Sequence, residues 1–273
     1  MAPVPSAAAR RLLTHPRVET VVSTALLARL VANPPRFALA ELAGRGRVVT
    51  HRVRRGGAIV VLEHGTPDVQ TFDELFYQQI YAPPPEVEAA VAALGRPPRI
   101  LDVGANIGLF GAWALARWPG AEIDAFEPDP RNAALHRRAI AASGRGGAWR
   151  LQETAATVAD GEMRFVTGRY AMSGPATDAD VDATSVPARD VLPLLARADL
   201  VKLDAEGSEW AILDDPRFAA TTVRAMVLEY HPELCPEPEA RAAAVDRLRA
   251  AGFAVRDVPT HAPPGYGSLW GWR

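Results

Sequence analysis

Apolar residues recur at helical spacing through the first part of the chain, at Leu12, Leu13, Val18, Val21, Val22, Leu26 and Leu30, and predict a helical extension over residues 1–36. Pro34-Pro35 ends it, because proline offers no amide donor to continue a helix. The β-rich runs Arg47 to Val53 and Ala58 to Glu63 then flank Arg55-Gly56-Gly57 and predict a hairpin. A further helical segment over Thr71 to Tyr81 carries Phe72, Leu75, Phe76 and Ile80 on one stripe. Pro83-Pro84-Pro85 marks a boundary, so the pattern divides the chain into an extension over residues 1–82 and a second unit over residues 83–273.

Beyond the boundary, short apolar strands alternate with amphipathic helices. Strands are predicted at Ile100 to Val103, Ile123 to Phe126, Trp149 to Gln152, Glu162 to Val166, Asp199 to Leu203, Val223 to Glu229, Phe253 to Val258 and Ser268 to Trp272. Helices are predicted at Glu86 to Leu94, Leu109 to Trp118, Pro130 to Ala142 and Ala240 to Ala251. Strands separated by helices argue an α/β fold with a parallel, doubly wound sheet covered on both faces.

Composition narrows the function. The 273 residues are 48% hydrophobic with a formal charge of −2, which gives no general field for nucleic acid or an anionic membrane. Cys235 is the only cysteine, so multi-cysteine zinc sites, intrachain disulfides and CxxC redox centres are excluded. The apolar stretch Val18 to Ala32 is broken by Glu19 and Arg29 and reads as neither signal peptide nor membrane span. A cytoplasmic location is the expectation. Lys202 is the only lysine beside 29 arginines.

In open α/β sheets ligands sit beyond the carboxyl ends of the strands. The first strand ends in Asp102-Val103-Gly104-Ala105-Asn106-Ile107-Gly108 and opens into a helix, a turn whose backbone can approach an anionic or polar ligand closely. Asn106 breaks the G-x-G-x-x-G dinucleotide fingerprint. Glu127 closes the second strand, where a carboxylate is placed to accept hydrogen bonds from ribose hydroxyls. Farther on, Lys202-Leu203-Asp204-Ala205-Glu206-Gly207-Ser208-Glu209 puts Lys202 and Asp204 on one strand face, and Glu229 and His231 share a face at the end of the next strand. Charges at such positions are costly to desolvate unless paired or used. Glu206 and Glu209 also suit the first turn of a helix, which favours acidic residues.

Taken in order, DVGANIG, FEPDP, the Asp160-Gly161 turn, VKLDAEGSE and LEYHP resemble the FkbM family of S-adenosylmethionine-dependent methyltransferases, over about residues 72 to 273. The resemblance implies a class I methyltransferase fold, a seven-stranded, mostly parallel sheet with Ser268 to Trp272 as its antiparallel strand. It also implies that Asp102, Gly104, Ala105, Asn106 and Gly108 cradle the methionine part of S-adenosyl-L-methionine, that Glu127 holds its ribose, and that Glu153 to Ala155 lie against adenine, with Asp204 beside the cofactor. Arg189-Asp190 departs from the family's usual Leu-Asp and bears on packing. For methyl transfer to a hydroxyl, a general base adds about 100-fold to 10,000-fold. Asp204, His231 and Glu229 are the candidates, with Lys202 paired to a carboxylate. Asp204 and Glu229 are alternatively ligands for Mg2+, a hard ion that favours oxygen.

The leading expectation is O-methylation of a sugar or other small hydroxylated acceptor, as in natural-product or glycan tailoring, with no nucleic-acid or membrane partner. The alternatives are a nucleotide-cofactor (NAD-type) oxidoreductase and a non-catalytic binding module that keeps the fold. Phe76, Tyr77 and Tyr81, just before the second unit, make the extension a candidate lid over the acceptor or a homo-oligomer contact.

Overall fold

Apolar runs that cannot be solvated singly are buried together in one sheet. The computed structural model describes residues 16–177, 180–259 and 264–273; of the predicted extension, residues 1–15 lie outside these. The N-terminal part contains α1 (Pro16–Ala28), α2 (Pro34–Leu42), the antiparallel hairpin β1 (Arg47–Arg52) and β2 (Ile59–His64), and α3 (Pro67–Phe72). Asn33 and Thr66 cap α2 and α3 through their side-chain oxygens.

Here the structure departs from the predicted Thr71 to Tyr81 helix. The α-helical turn stops at Phe72 and continues as a π-helix over Asp73–Gln78, ended by Gln79 at φ 56°. Apolar residues at 72, 75, 76 and 80 fit either winding. In the winding that forms, Phe72 and Leu75 are both buried.

The remaining elements are α4 (Pro85–Ala92), β3 (Arg99–Val103), α5 (Leu109–Arg117), β4 (Glu122–Phe126), α6 (Pro130–Ser143), β5 (Trp149–Gln152), β6 (Ala155–Thr157), β7 (Gly161–Val166), β8 (Gly174–Pro175), β9 (Thr184–Asp190), α7 (Leu192–Leu195), β10 (Leu200–Leu203), α8 (Glu209–Asp214), α9 (Pro216–Ala219), β11 (Ala225–Tyr230), α10 (Ala240–Ala250), β12 (Ala254–Val258) and β13 (Gly267–Trp272). Seven of the strands form one sheet in the order β12-β13-β11-β10-β3-β4-β5. All are parallel except β13, which runs antiparallel to both β11 and β12. This is the predicted doubly wound α/β sheet of the class I methyltransferase fold, with its terminal antiparallel strand. The strand order turns back between β3 and β10, so their carboxyl ends form the crevice where such sheets bind ligands.

A second, four-stranded sheet, β6-β9-β7-β8, was not predicted beyond the β7 run. Its core is small, with Ala155, Phe165, Val186 and Ala188. Arg189 and Asp190 end β9, where Arg189 donates to Gln152 at 2.8 Å and Asp190 accepts from Arg217 at 2.5 Å.

Alternate strand residues point to opposite faces. Ile100, Ala225 and Val227 join one core, while Leu101, Val201, Met226 and Leu228 join the other. The first core is continuous with the N-terminal elements, because Phe37, Leu62, Phe72 and Tyr81 pack in the same cluster as Ile107, Phe110 and Leu135. Arg131 adds a polar tie. From α6 it bonds Glu63 and Asp68 at 2.7 Å and lies 4.4 Å over the Tyr170 ring. Among the described residues no helix is long and apolar enough to cross a membrane.

Candidate active site

The carboxyl ends of β3, β4, β10 and β11, together with the π-helix, enclose a cleft of about 560 Å³. Its floor depends on a close backbone approach. Gly104 has φ +73°, and a Cβ there would overlap the carbonyl oxygen of Asp204. Gly108, at φ +85°, opens α5, and a Cβ on it would stand 2.6 Å from the His136 ring. Between them Asn106 takes φ 50°, a region asparagine tolerates better than most residues. Its amide donates to Glu127 Oε2 at 2.7 Å, and the Asp129 amide donates to Glu127 Oε1 at 2.8 Å. Each oxygen of Glu127 keeps a lone pair for a ligand, and burial pushes this carboxyl up to about 7 despite the two amides.

On the other side of the crevice Lys202 is buried at the end of β10. Its Nζ donates to the Gly104 carbonyl at 2.6 Å and lies 2.9 Å from Asp204 Oδ2 and 3.8 Å from Asp102 Oδ1. Burial opposes its charge, but the two aspartates outweigh that and raise its pKa. Asp102 has no solvent exposure and no hydrogen-bond partner for either oxygen, and burial lifts it to about 6. It lies beneath the cleft wall as the second counter-charge of Lys202, whereas Gly104, Ala105 and Asn106 line the wall itself.

The two acidic motifs of the second half meet at His231. Its Nδ1 is 2.9 Å from Glu209 Oε1, its backbone amide donates to the same oxygen at 3.0 Å, and the other Glu209 oxygen accepts from the Gly207 amide at 2.7 Å. The imidazole is thereby turned so that Nε2 faces Glu206 at 3.5 Å and Asp204 at 3.9 Å. Burial works against its protonation, but the Glu209 hydrogen bond and the charges of Asp204, Glu209 and Glu206 raise it to about 10. Glu206, held at φ 50°, is pushed up to about 8 by burial and by Asp204. Glu229 accepts a 2.8 Å hydrogen bond from Tyr81, which follows the π-helix, and burial lifts it to about 7.

These motifs, on this sheet, match the family model for the methyltransferase FkbM domain over residues 102–255, more than half of the chain. The chain belongs to the FkbM methyltransferase family. Among solved structures, the methyltransferase FkbM from Methylobacillus flagellatus KT aligns with 94% of this chain and 59% of its own, at 14% identity and a TM-score of 0.47. The magnesium protoporphyrin IX methyltransferase of Synechocystis PCC 6803, solved with bound SAM, aligns with 72% of this chain and 78% of its own, at 16% identity and a TM-score of 0.42. The N-terminal domain of EvdMO1, solved in the presence of SAH and D-fucose, aligns with 68% of this chain and 80% of its own, at 20% identity and a TM-score of 0.40. No curated protein matches the chain in sequence.

Most FkbM motif residues singled out from sequence converge on this cleft: Gly104, Ala105, Asn106, Glu127, Ala155, Lys202, Asp204 and Glu229 all line it. Glu153 does not. It is exposed and pairs with Arg137 on the surface, because the chain turns between the end of β5 and Ala155. Glu229, one of the two carboxylates anticipated as cation ligands, accepts from Tyr81, and among the described residues Asp204, Glu206 and His231 are close enough to share a cation, within 4.8 Å of one another. Glu206 and Glu209 were missed as site residues, and Tyr81 was singled out only as part of the candidate lid, not as a partner of Glu229. The acidic pair reads as an ordinary helix start, and only the contact with His231, 22 positions away from Glu209, reveals its use.

Proposed function

We propose that the protein transfers a methyl group from S-adenosylmethionine to a hydroxyl of a sugar or other small acceptor. One observation carries this reading: both acidic FkbM motifs converge on the cleft that the Gly104 turn and Glu127 open at the switch point. The residues fit the cofactor. Gly104 removes the side chain that would fill the backbone approach, and Glu127 is a buried acceptor whose free lone pairs suit two ribose hydroxyls. When bound, the cofactor supplies an electrophilic methyl carbon on a cationic sulfur, open to in-line displacement.

The protein's own groups then have distinct tasks. The 104–106 backbone and Glu127 orient the donor, and Ala155 and Ala156 give an apolar wall for its base. Lys202 fixes Asp204 from below, and Glu209 fixes His231. His231 was one of three candidates for the base; its neighbours Glu209, Asp204 and Glu206 raise its pKa, which suits it to orient the carboxylates. Glu229, near 7 and held by Tyr81, is matched to accept the proton that the attacking hydroxyl releases as its oxygen bonds to carbon. The oxidoreductase alternative has nothing left in its favour once the chain is in a methyltransferase family and Asn106 stands in the glycine turn.

The test is transfer of labelled methyl from S-adenosylmethionine to a panel of hydroxylated sugars, with the Glu229→Gln variant as control. Transfer by the parent, lost at least tenfold in the variant with cofactor affinity kept, supports the reading. Equal turnover by both removes Glu229 from the mechanism.

A further inference from the structure

Among the described residues five that are not glycine sit at positive φ, and three of these, Asn106, Tyr170 and Glu206, line the cleft. Asn106 belongs to the turn that bonds Glu127, and Glu206 faces His231. Tyr170, at φ 58°, has no task in the site as described above. A β-carbon makes this conformation costly, and tyrosine lacks the short polar side chain with which asparagine offsets the cost. Such a residue persists only where its surroundings hold it, and held strain of this kind gathers at functional sites.

The surroundings of Tyr170 do hold it. The residue opens a short 3-10 turn, Tyr170–Met172, in the segment between β7 and β8. On one side the Gly168 amide and the Ser173 hydroxyl both donate to Asp129 Oδ2, at 2.6 and 2.7 Å, and the Asn132 side chain donates to the Tyr170 carbonyl at 3.0 Å. Arg131 lies 4.4 Å over the ring, and its guanidinium is engaged with Asp68 and Glu63, so it braces the ring and is not free to reach a ligand. On the other side Gly174 meets the loop after β10, where a Cβ on it would stand 2.8 Å from Glu206 Cβ. Residues 168–174 thus cross from the turn after β4 to the loop after β10. Asp129, Arg131 and Asn132 follow directly on Glu127, and the Asp129 amide itself donates to Glu127 at 2.8 Å. Tyr170 is therefore fixed to the same turn as the carboxylate assigned to ribose, in a cleft that Ala155, Ala156 and Phe165 also line.

We propose that Tyr170 is a donor-contact residue whose ring covers the adenosine of S-adenosylmethionine, and that its strained backbone is kept because it presents the ring there. The inference rests on the methyltransferase reading. An aromatic ring brings a large apolar surface to a purine or ribose face, which a smaller side chain at this position would not supply.

The experiment compares the full chain with its Tyr170→Phe, Tyr170→Ala and Tyr170→Gly variants. Each is titrated by calorimetry with S-adenosylhomocysteine and with 5′-methylthioadenosine, which lacks the amino-acid half, and each is unfolded in urea. The phenylalanine variant should bind both ligands within about twofold of the parent, and the alanine and glycine variants should each bind both about tenfold more weakly. The glycine variant should nevertheless unfold at higher urea than the alanine variant, because glycine takes this φ without cost. Affinity then follows the ring while stability follows the backbone. An alanine variant that binds as tightly as the parent, a glycine variant whose affinity returns towards the parent along with its stability, or a loss confined to S-adenosylhomocysteine overturns the adenosine contact and leaves the methyltransferase reading intact. A glycine variant no more stable than the alanine variant overturns the strain. Folded parent that binds neither ligand overturns the cofactor reading and this inference with it.

Discussion

The imidazole of His231 donates from Nδ1 to Glu209 across 2.9 Å, and Glu209 has no solvent exposure at all. The last acid of one sequence motif is thus the orienting partner of the histidine in the next. Removing it leaves a buried imidazolium and the Gly207 amide without their acceptor. Glu209→Gln should lower kcat at least tenfold while leaving cofactor affinity within a few-fold, and an NMR titration should find the His231 pKa moved down from about 10. An unmoved pKa would remove Glu209 as its cause.

The same pair makes a pH prediction. The folded pKa of His231 lies above its ordinary 6.5, so the stability it adds is fully present below pH 6.5 and is lost as pH rises through about 10. Urea unfolding of the parent and of His231→Gln should therefore converge between pH 7 and 10. A gap that widens over that range would contradict the ion-pair account.

Lys202 is confined between Gly104, Asp204 and Asp102. Lys202→Met strands two aspartates and should cost about 3 to 5 kcal/mol in chemical denaturation. Lys202→Arg keeps the charge but has no room for a planar fork, so it should lose activity even where it folds. Full activity in the arginine variant would mean that only charge matters here.

Tyr81 links the N-terminal elements to the proposed base. Tyr81→Phe keeps the ring packed on Phe110 and removes only the 2.8 Å bond to Glu229, worth about 1 kcal/mol. Acceptor turnover should fall about fivefold with no change in cofactor affinity. A change in cofactor affinity alone would place Tyr81 on the donor side.

Much of this was legible in the chain, and the reasons differ by element. Ile100 to Val103 and Ile123 to Phe126 announce themselves because strands buried on both faces need unbroken apolar runs. In β9 only Val186 and Ala188 are buried, Pro187 interrupts the pattern, and its partner β6 spans three residues, so that sheet exists only through long-range pairing. Lys202 and Asp204 were placed together by strand alternation alone, and their atoms meet at 2.9 Å. Glu206 and Glu209 were hidden because local propensity already accounts for acids at a helix start. Glu153 was misplaced because a turn after β5 carries it to the surface, which the family pattern does not report.

If Glu127 holds S-adenosylmethionine in this cleft as proposed, calorimetry between pH 6 and 8 will register it. Burial sets the Glu127 carboxyl near 7, and the ionised form is the stronger acceptor, so affinity should rise through this range. Glu127→Gln should bind about 1.5 to 3 kcal/mol more weakly and without that pH dependence. Absence of binding by the parent, or a variant that binds as tightly as the parent at pH 8, would contradict the account.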